Sequence, residues 1–264
     1  MSPIGVDLFG VSFLLEAERG ELVSAVVSRL PAVPFAPIGG DVARRYVVED
    51  ATEPVPGLFI RRGARKTVLA ASVETAADLI VHDLQRTLAH RADGLVFVHA
   101  GVVAWHGRAL VLPGRSRSGK SELVGALVRA GAAYLSDEFA VLDGDGLVHP
   151  YARPIGFRQP DGTRAWVAAE ALGARLAARP VPLGLIAFVR FTSGGRWRPR
   201  PLSAGETFLG LLRHTVAARR RLTLARSILV PLASSVAGLR AVRGEADDVA
   251  GELLAEVASA RASA

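Results

Sequence analysis

Eight residues near the middle of the chain have the types and spacing of a loop that binds phosphate. Residues 114–121 match G-x-x-x-x-G-K-[ST], a pattern in which successive backbone N–H groups surround an anion. Gly114 and Gly119 permit the backbone angles that this wrapping needs. Lys120 would reach the outer phosphates, and the Ser121 hydroxyl would ligate Mg²⁺. The motif predicts that Mg-ATP binds along the whole loop: Gly114, Arg115, Ser116, Arg117, Ser118, Gly119, Lys120 and Ser121.

The basic residues of the chain support a specific role for this lysine. Of 32 basic residues, only Lys66 and Lys120 are lysines. A lysine carries a compact charge on a flexible stem, which suits contact with phosphates. We therefore assign Lys120 to phosphate binding and to catalysis. The alternative is a Gly/Ser-rich turn that binds nothing.

Two adjacent acids follow the next apolar segment. Residues 132–135 predict a strand, and Asp137 and Glu138 lie at its end. Carboxylates beside a phosphate loop typically hold Mg²⁺ or take a proton from an attacking hydroxyl. Asp137 follows Lys120 by 17 residues, so a single helix separates the loop from the acids. The alternative is a surface Asp-Glu pair in a turn.

The elements around the loop fit the motif. Residues 110–112 are an apolar run typical of a buried strand, and apolar residues at helical spacing follow the loop until Gly131. A phosphate loop requires this position between a strand and a helix.

These residues together resemble a known enzyme family. The segment from His99 to Asp143 is similar to the catalytic core of HPr kinase/phosphorylase and its bacterial relatives, which include peptide kinases found with lasso-peptide biosynthesis. The resemblance covers residues 95–158. Its matching positions are His99, Gly114, Gly119, Lys120, Ser121, Glu122 and Asp137, while Glu138 stands where the family commonly has a second Asp.

The resemblance implies an α/β fold with a P-loop kinase core of the HPr kinase/PEP carboxykinase-like type. Asp137 would be the general base toward a serine hydroxyl, and His99 would lie beside the reacting phosphates. The alternative for His99 is a core histidine with its hydrogen bonds satisfied, which its own sequence position equally suits. Ser121, Glu138 and Asp137 would hold the metal, and Glu122 would join the nucleotide-binding residues. The downstream glycine-rich signature of HPr kinases is not visible, so neither HPr as the substrate nor phosphorolysis is implied.

Two arginines follow the acidic strand, and either would suit a phosphate. Arginine commonly clamps phosphates or stabilises charge during transfer. We include Arg153 among the catalytic residues and give Arg158 less weight. The alternative for both is a solvated surface arginine.

Composition limits the class of protein. Half of the 264 residues are hydrophobic, which is enough for a substantial core. The net charge of +7 suits anionic partners such as nucleotides but does not by itself indicate nucleic acid. The absence of cysteine excludes disulfides, and the absence of asparagine excludes the guanine-reading N-K-x-D motif. With no signal peptide or membrane-spanning stretch visible, we expect a cytoplasmic protein without a membrane or nucleic-acid partner.

The chain is predicted to form two domains. Residues 1–91 predict a small α+β lobe whose role is open: substrate docking, oligomer contact or a structural cap. Residues 92–264 predict the catalytic domain. HPr-kinase relatives assemble into oligomers, and the residue patterns leave open whether this chain forms a homo-oligomer.

Two features lie beyond the resemblance. Basic and apolar residues alternate over residues 196–200, which indicates an arginine-rich edge strand or a surface for a base or acidic peptide; we favour the edge strand. The capping box Ser203–Glu206 predicts a helix that we expect to end at the arginines of 219–221.

Three functions fit the sequence. The first is transfer of the ATP γ-phosphate to a serine hydroxyl of a peptide or small protein, including a lasso precursor peptide. The second is a regulatory module that changes shape on binding nucleotide without transfer. The third is a kinase acting on free serine or another small metabolite.

Overall fold

The protein is mixed α/β and divides into two compact units, Met1–Asp93 and Gly94–Ala264. Our computed structural model describes residues 3–31, 41–51, 56–63, 66–114, 118–159 and 164–260. Six α-helices lie within these ranges. None of the helices in these ranges is both long enough and apolar enough to cross a membrane.

The first unit is a five-stranded sheet with two helices. Its elements are β1 (Ile4–Leu8), β2 (Val11–Ala17), α1 (Gly20–Val27), β3 (Arg44–Ala51), β4 (Gly57–Arg62), β5 (Lys66–Ala70) and α2 (Val73–Arg91). The strands lie side by side in chain order, and only β2 and β3 are parallel, which α1 permits by crossing between them. The Ser72 hydroxyl caps α2 by accepting from Thr75 N at 3.2 Å.

The second unit is a larger sheet with helices on both faces. Its elements are β6 (Val96–Trp105), β7 (Arg108–Pro113), α3 (Lys120–Arg129), β8 (Ala133–Ser136), β9 (Phe139–Leu142), β10 (Leu147–His149), β11 (Ile155–Arg158), β12 (Arg164–Val167), a 3₁₀-helix (Ala169–Leu172), β13 (Val181–Phe191), β14 (Arg200–Leu202), α4 (Ala204–His214), α5 (Leu222–Ser235), β15 (Ala237–Arg243) and α6 (Ala246–Ser259).

The strand order brings several loops to one edge of this sheet. The order is β10-β9-β6-β7-β13-β15-β14, and β8 also pairs with β6. Because β7, β13 and β15 are mutually parallel, their carboxyl ends lie at the same edge. β8 and β9 pair in succession with β6, so residues 137–138 interrupt a nearly continuous strand.

Alternating side chains on the central strands build two cores. On one face, Leu110 and Leu112 of β7 pack with α3 and α6. On the other face, Ala109 and Val111 of the same strand pack with α4 and α5. The period of two that defines a strand therefore anchors the strand before residue 114 from both sides.

The structure corrects one predicted helix end. The capping box at Ser203 and Glu206 is present, but α4 ends at His214 rather than at the arginines of 219–221. Those arginines lie in a turn in which Arg220 N and Arg221 N both donate to Ala217 O. They precede α5, a helix that the sequence analysis missed and that contains Pro231.

Candidate functional site

The predicted phosphate loop begins where β7 ends, and a backbone hydrogen bond joins its first residue to β6. Gly114 N donates to His99 O at 3.2 Å. A Cβ placed on Gly114 would lie 2.7 Å from Ser118 Oγ, so a larger residue at position 114 would require the Ser118 side chain to move. Arg115, Ser116 and Arg117 lie outside the described residues.

The loop ends on the first turn of α3. Gly119 is the residue before the helix and has a φ of 78°, which glycine adopts without strain. The N–H groups of the first helical turn thus follow directly on the loop, as anion binding requires. Lys120 is the first helical residue, and its Nζ donates to Gly114 O at 2.8 Å. Its ammonium group therefore lies at the base of the loop.

His99 connects the loop to the acidic residues. Its Nδ1 lies 2.9 Å from Glu138 O and 3.4 Å from Glu138 Oε1, and its Nε2 lies 3.5 Å from Lys120 Nζ. A lysine ammonium can only donate, so we assign Nε2 as the acceptor and Nδ1–H as the donor to Glu138 O. His99 therefore lies between Glu138 and Lys120, and its predicted place beside the phosphates stays a prediction.

Asp137 lies next to the helix that begins at the loop. Its Oδ2 accepts a 2.7 Å hydrogen bond from Ser121 Oγ. The residue is partly exposed, but its Oδ1 is buried and has no hydrogen-bond partner among the described residues. Asp137 can therefore accept one further donor or a cation.

The surroundings of Asp137 favour its protonated form. Burial raises the pKa of Asp137 to about 7, and the neighbouring charge of Glu138 adds to this shift. The hydrogen bond from Ser121 and the charges of Lys120 and Arg153 oppose it. A carboxyl with a pKa near neutrality is suited to exchange a proton at physiological pH.

Glu138 and Arg153 form the other side of the site. Arg153 Nη1 lies 3.6 Å from Glu138 Oε2, and its guanidinium lies over the Trp166 ring at 4.7 Å from the centroid. Arg153 is only 6% exposed, so the surface-arginine alternative is wrong. A buried guanidinium beside a carboxylate fixes the position of that carboxylate.

The remaining predicted residues lie farther out. Glu122 is exposed on the first turn of α3. Arg158 is exposed at the end of β11, and no described contact links it to Asp137 or Glu138. Of the two arginines, Arg153 therefore lies beside Glu138, whereas Arg158 has no described contact with either acid.

Arg243, which the sequence analysis missed, contacts the loop from the end of β15. This residue is 3% exposed, and its Nη2 donates to Gly119 O at 2.8 Å while its Nη1 donates to Gly244 O at 2.7 Å. Desolvation lowers the pKa of Arg243, although Glu122 and Glu245 oppose the shift. No local motif distinguishes Arg243 from the other arginines, because its partner is 124 residues away.

The site fits a phosphate group with Mg²⁺. Ser118 Oγ and Asp137 Oδ1 are buried polar atoms with no hydrogen-bond partner among the described residues, and a ligand would satisfy them. No cluster of three or more His, Asp and Glu side chains suited to a metal occurs in the described parts of the chain. This is compatible with Mg²⁺, which commonly takes one or two protein ligands together with phosphates and water. Ser121 and Asp137 are the adjacent oxygen donors, and Glu138 follows directly.

No protein-family model matches the chain, and no curated protein matches it.

Proposed function

We propose that this protein is an ATP-dependent kinase that transfers the γ-phosphate to a serine hydroxyl of a peptide or small protein. The observation that carries the proposal is the position of Asp137. Its Oδ2 is bonded to Ser121 of the phosphate loop at 2.7 Å, and its Oδ1 has no partner among the described residues. A buried proton acceptor next to a phosphate loop is an arrangement that suits phosphoryl transfer to an alcohol.

In the proposed reaction, Asp137 Oδ1 accepts the proton of the serine hydroxyl. The serine oxygen forms a bond to the γ-phosphorus, and the bond from that phosphorus to the β–γ bridging oxygen breaks. ADP leaves with the electron pair of the broken bond. Because the transferred group needs little covalent help, positioning and electrostatic stabilisation supply most of the catalysis.

The other residues would hold the reactants. Lys120, at the base of the loop, would contact the outer phosphates, and His99 would keep the lysine beside the acids. Ser121, Asp137 and Glu138 would hold Mg²⁺, which neutralises phosphate charge when bound. Arg153 would keep Glu138 in place from the opposite side.

We also propose a specific type of α/β fold for the second unit. The loop between β7 and α3, with acids at the next strand, is in keeping with a P-loop kinase core of the HPr kinase/PEP carboxykinase-like type. The serine acceptor comes from that resemblance, and a peptide such as a lasso precursor is the substrate class we favour. A cytoplasmic location, where Mg-ATP is available, belongs to the same proposal.

The test is incubation with γ-labelled ATP and Mg²⁺, with serine-containing candidate precursor peptides and free serine in parallel. We expect label on peptide serine, and its loss in Lys120→Ala. Lys66→Ala is the matched control, because Lys66 is the other lysine of the chain and belongs to the first unit.

Each other outcome contradicts the proposal in a distinct way. Label on free serine alone would indicate a metabolite kinase. Tight nucleotide binding without label on either acceptor would indicate a regulatory module. Equal labelling by Lys120→Ala and the parent protein would show that the loop does not bind the transferred phosphate.

A further inference from the structure

The sheet edge that carries the phosphate loop extends well beyond the acidic residues. Asp137 and Glu138 lie beside β6, on one side of β7. On the other side of β7 lies β13, whose last pairing with β7 joins Ile186 to Val111. β13 then continues for five residues to Phe191, paired only with β15 there. Its final residues therefore extend alongside the loop.

Phe191 is an exposed aromatic residue at this place. It is 42% exposed, although it ends a strand whose middle is buried. A Cβ built on Gly119 would lie 3.7 Å from Phe191 Cβ, so the Phe191 side chain is adjacent to the end of the phosphate loop. Single exposed hydrophobic residues are common on protein surfaces, so it is the position of Phe191 beside the loop, rather than its exposure, that suggests a ligand.

Arg243 supports the ring of Phe191. The centre of its guanidinium lies over the ring, 5.2 Å from the centroid, while Nη2 donates to Gly119 O at 2.8 Å. One buried side chain thus contacts both the aromatic ring and the last glycine of the loop. The ring therefore has a fixed position relative to the loop.

The turn after β13 is also fixed. Thr192 N donates to Arg243 O at 2.9 Å, and Gly195 N donates to Thr192 O at 2.8 Å. A Cβ on Gly195 would lie 2.7 Å from Arg243 O, and a Cβ on Gly244 would lie 2.6 Å from Gly195 O. Only glycines permit this close packing of the two strand ends. The platform is consequently preorganised, which limits the entropy lost on binding.

The direction of a bound nucleotide follows from this arrangement. In the proposed reaction the γ-phosphate must lie at Asp137, on the β6 side of β7. A triphosphate wrapped by the loop then directs its nucleoside away from the acids, toward the ends of β13 and β15. Of the exposed large hydrophobic residues in the described ranges, Phe191 is the aromatic one, and it lies on that side.

We propose that Phe191, supported by Arg243, is the platform on which the nucleobase of the bound nucleoside triphosphate stacks. This inference rests on the proposed nucleotide-dependent function and adds a base-binding subsite to it. Stacking on an aromatic face accepts any base, so Phe191 supplies affinity rather than a choice between purines. Trp197, the other aromatic residue of this region, is partly buried against the α3 and α6 core and is not the platform.

The test compares two ligands that share phosphates but differ in the base. The affinities of Mg²⁺-tripolyphosphate and of a Mg²⁺-bound nonhydrolysable ATP analogue are measured by isothermal titration calorimetry. We expect the parent protein to bind the nucleotide more tightly than tripolyphosphate. Phe191→Ala should weaken nucleotide binding by about 5- to 160-fold, the range that loss of one base stack typically gives, and leave tripolyphosphate binding unchanged. Phe191→Trp should retain the parent affinity for both ligands.

Leu209→Ala is the matched control, because Leu209 is 53% exposed on α4. It should change neither affinity, and a thermal melt of each variant checks the fold. If Phe191→Ala bound both the nucleotide and tripolyphosphate with the parent affinities, the base-stacking role of Phe191 would be disproved. The proposed phosphate binding by the loop would not be affected. Equal loss of both ligands would show that Phe191 shapes the loop instead. Failure of the parent protein to bind either ligand would overturn the proposed function together with this inference.

Discussion

The Ser121 hydroxyl donates to Asp137 Oδ2 at 2.7 Å, and this bond joins the first turn of α3 to the break between β8 and β9. The two residues are 16 positions apart, with the rest of α3 and the whole of β8 between them. The bond determines which carboxylate oxygen is left to receive a proton. Oδ1 is that oxygen, and it is buried without a described partner.

Asp137→Asn should separate nucleotide binding from phosphate transfer. Asparagine retains an oxygen that accepts from Ser121, and Ser121 and Glu138 remain to hold Mg²⁺, so the affinity for Mg-ATP should stay close to that of the parent protein. The rate of transfer should fall by about 100- to 10,000-fold, as is typical on loss of a general base. Calorimetry measures the binding, and γ-label transfer to the peptide measures the rate. The control is Asp145→Asn in the exposed turn between β9 and β10, which should change neither; transfer by Asp137→Asn at the parent rate would disprove the base assignment.

The raised pKa of Asp137 predicts how stability depends on pH. In the folded protein this pKa is about 7, against about 3.9 for an unfolded chain. Asp137 thus binds its proton more tightly in the folded state than in the unfolded state. This difference stabilises the fold below pH 4, and the stabilisation is lost as pH rises through 7. The asparagine of Asp137→Asn does not titrate. The free energy of unfolding of this variant, minus that of the parent protein, should therefore increase with pH by at most about 1.4 kcal/mol per pH unit between pH 4 and 7.

Denaturant unfolding at several pH values, without nucleotide or Mg²⁺, measures this difference. Effects of titrating groups that do not interact with Asp137 cancel because both proteins share them. A difference that stayed constant from pH 4 to pH 8 would show that Asp137 has an ordinary pKa in the fold.

Local sequence patterns predicted the elements that position the loop. The strand before Gly114 and the helix after Gly119 were readable because the apolar residues repeat with periods typical of each element. His99 was different, since its own sequence position equally suits a core histidine. Only the resemblance placed it near the loop, and in the structure its ring contacts Glu138 and Lys120.

The missed residues have partners far away in the chain. Arg243 and Phe191 approach Gly119 because β13 and β15 are parallel to β7, a pairing that no short segment specifies. α5 was missed because Pro231 lies inside it, and proline normally argues against the interior of a helix. Long-range pairing and tolerated exceptions therefore account for these parts of the site and fold.

Gly101 and Gly251 should respond to alanine with opposite signs. A Cβ on Gly101 of β6 would lie 2.5 Å from Val124 Cγ2, so Gly101→Ala forces β6 and α3 apart. We expect a loss of about 1–3 kcal/mol in the free energy of unfolding from this overpacking. Gly251 lies in α6 with no atom within 4 Å of a built Cβ, and Gly251→Ala should stabilise by about 0.4–1 kcal/mol. Denaturant unfolding measures both, and destabilisation by Gly251→Ala would contradict the described helix.

Arg243→Lys should weaken the phosphate loop without removing a charge. A lysine lacks the planar fork with which Arg243 reaches Gly119 O and Gly244 O together, so at least one carbonyl loses its donor. We expect a loss of about 1.5–3 kcal/mol in the free energy of unfolding, typical of a hydrogen bond to a charged group. Binding of Mg²⁺-tripolyphosphate should also weaken by about tenfold, which corresponds to about 1.4 kcal/mol.

Arg240→Lys is the matched control, because Arg240 is exposed on the same strand and should change neither quantity. Unaltered tripolyphosphate binding in Arg243→Lys would show that Arg243 supports only the ring of Phe191.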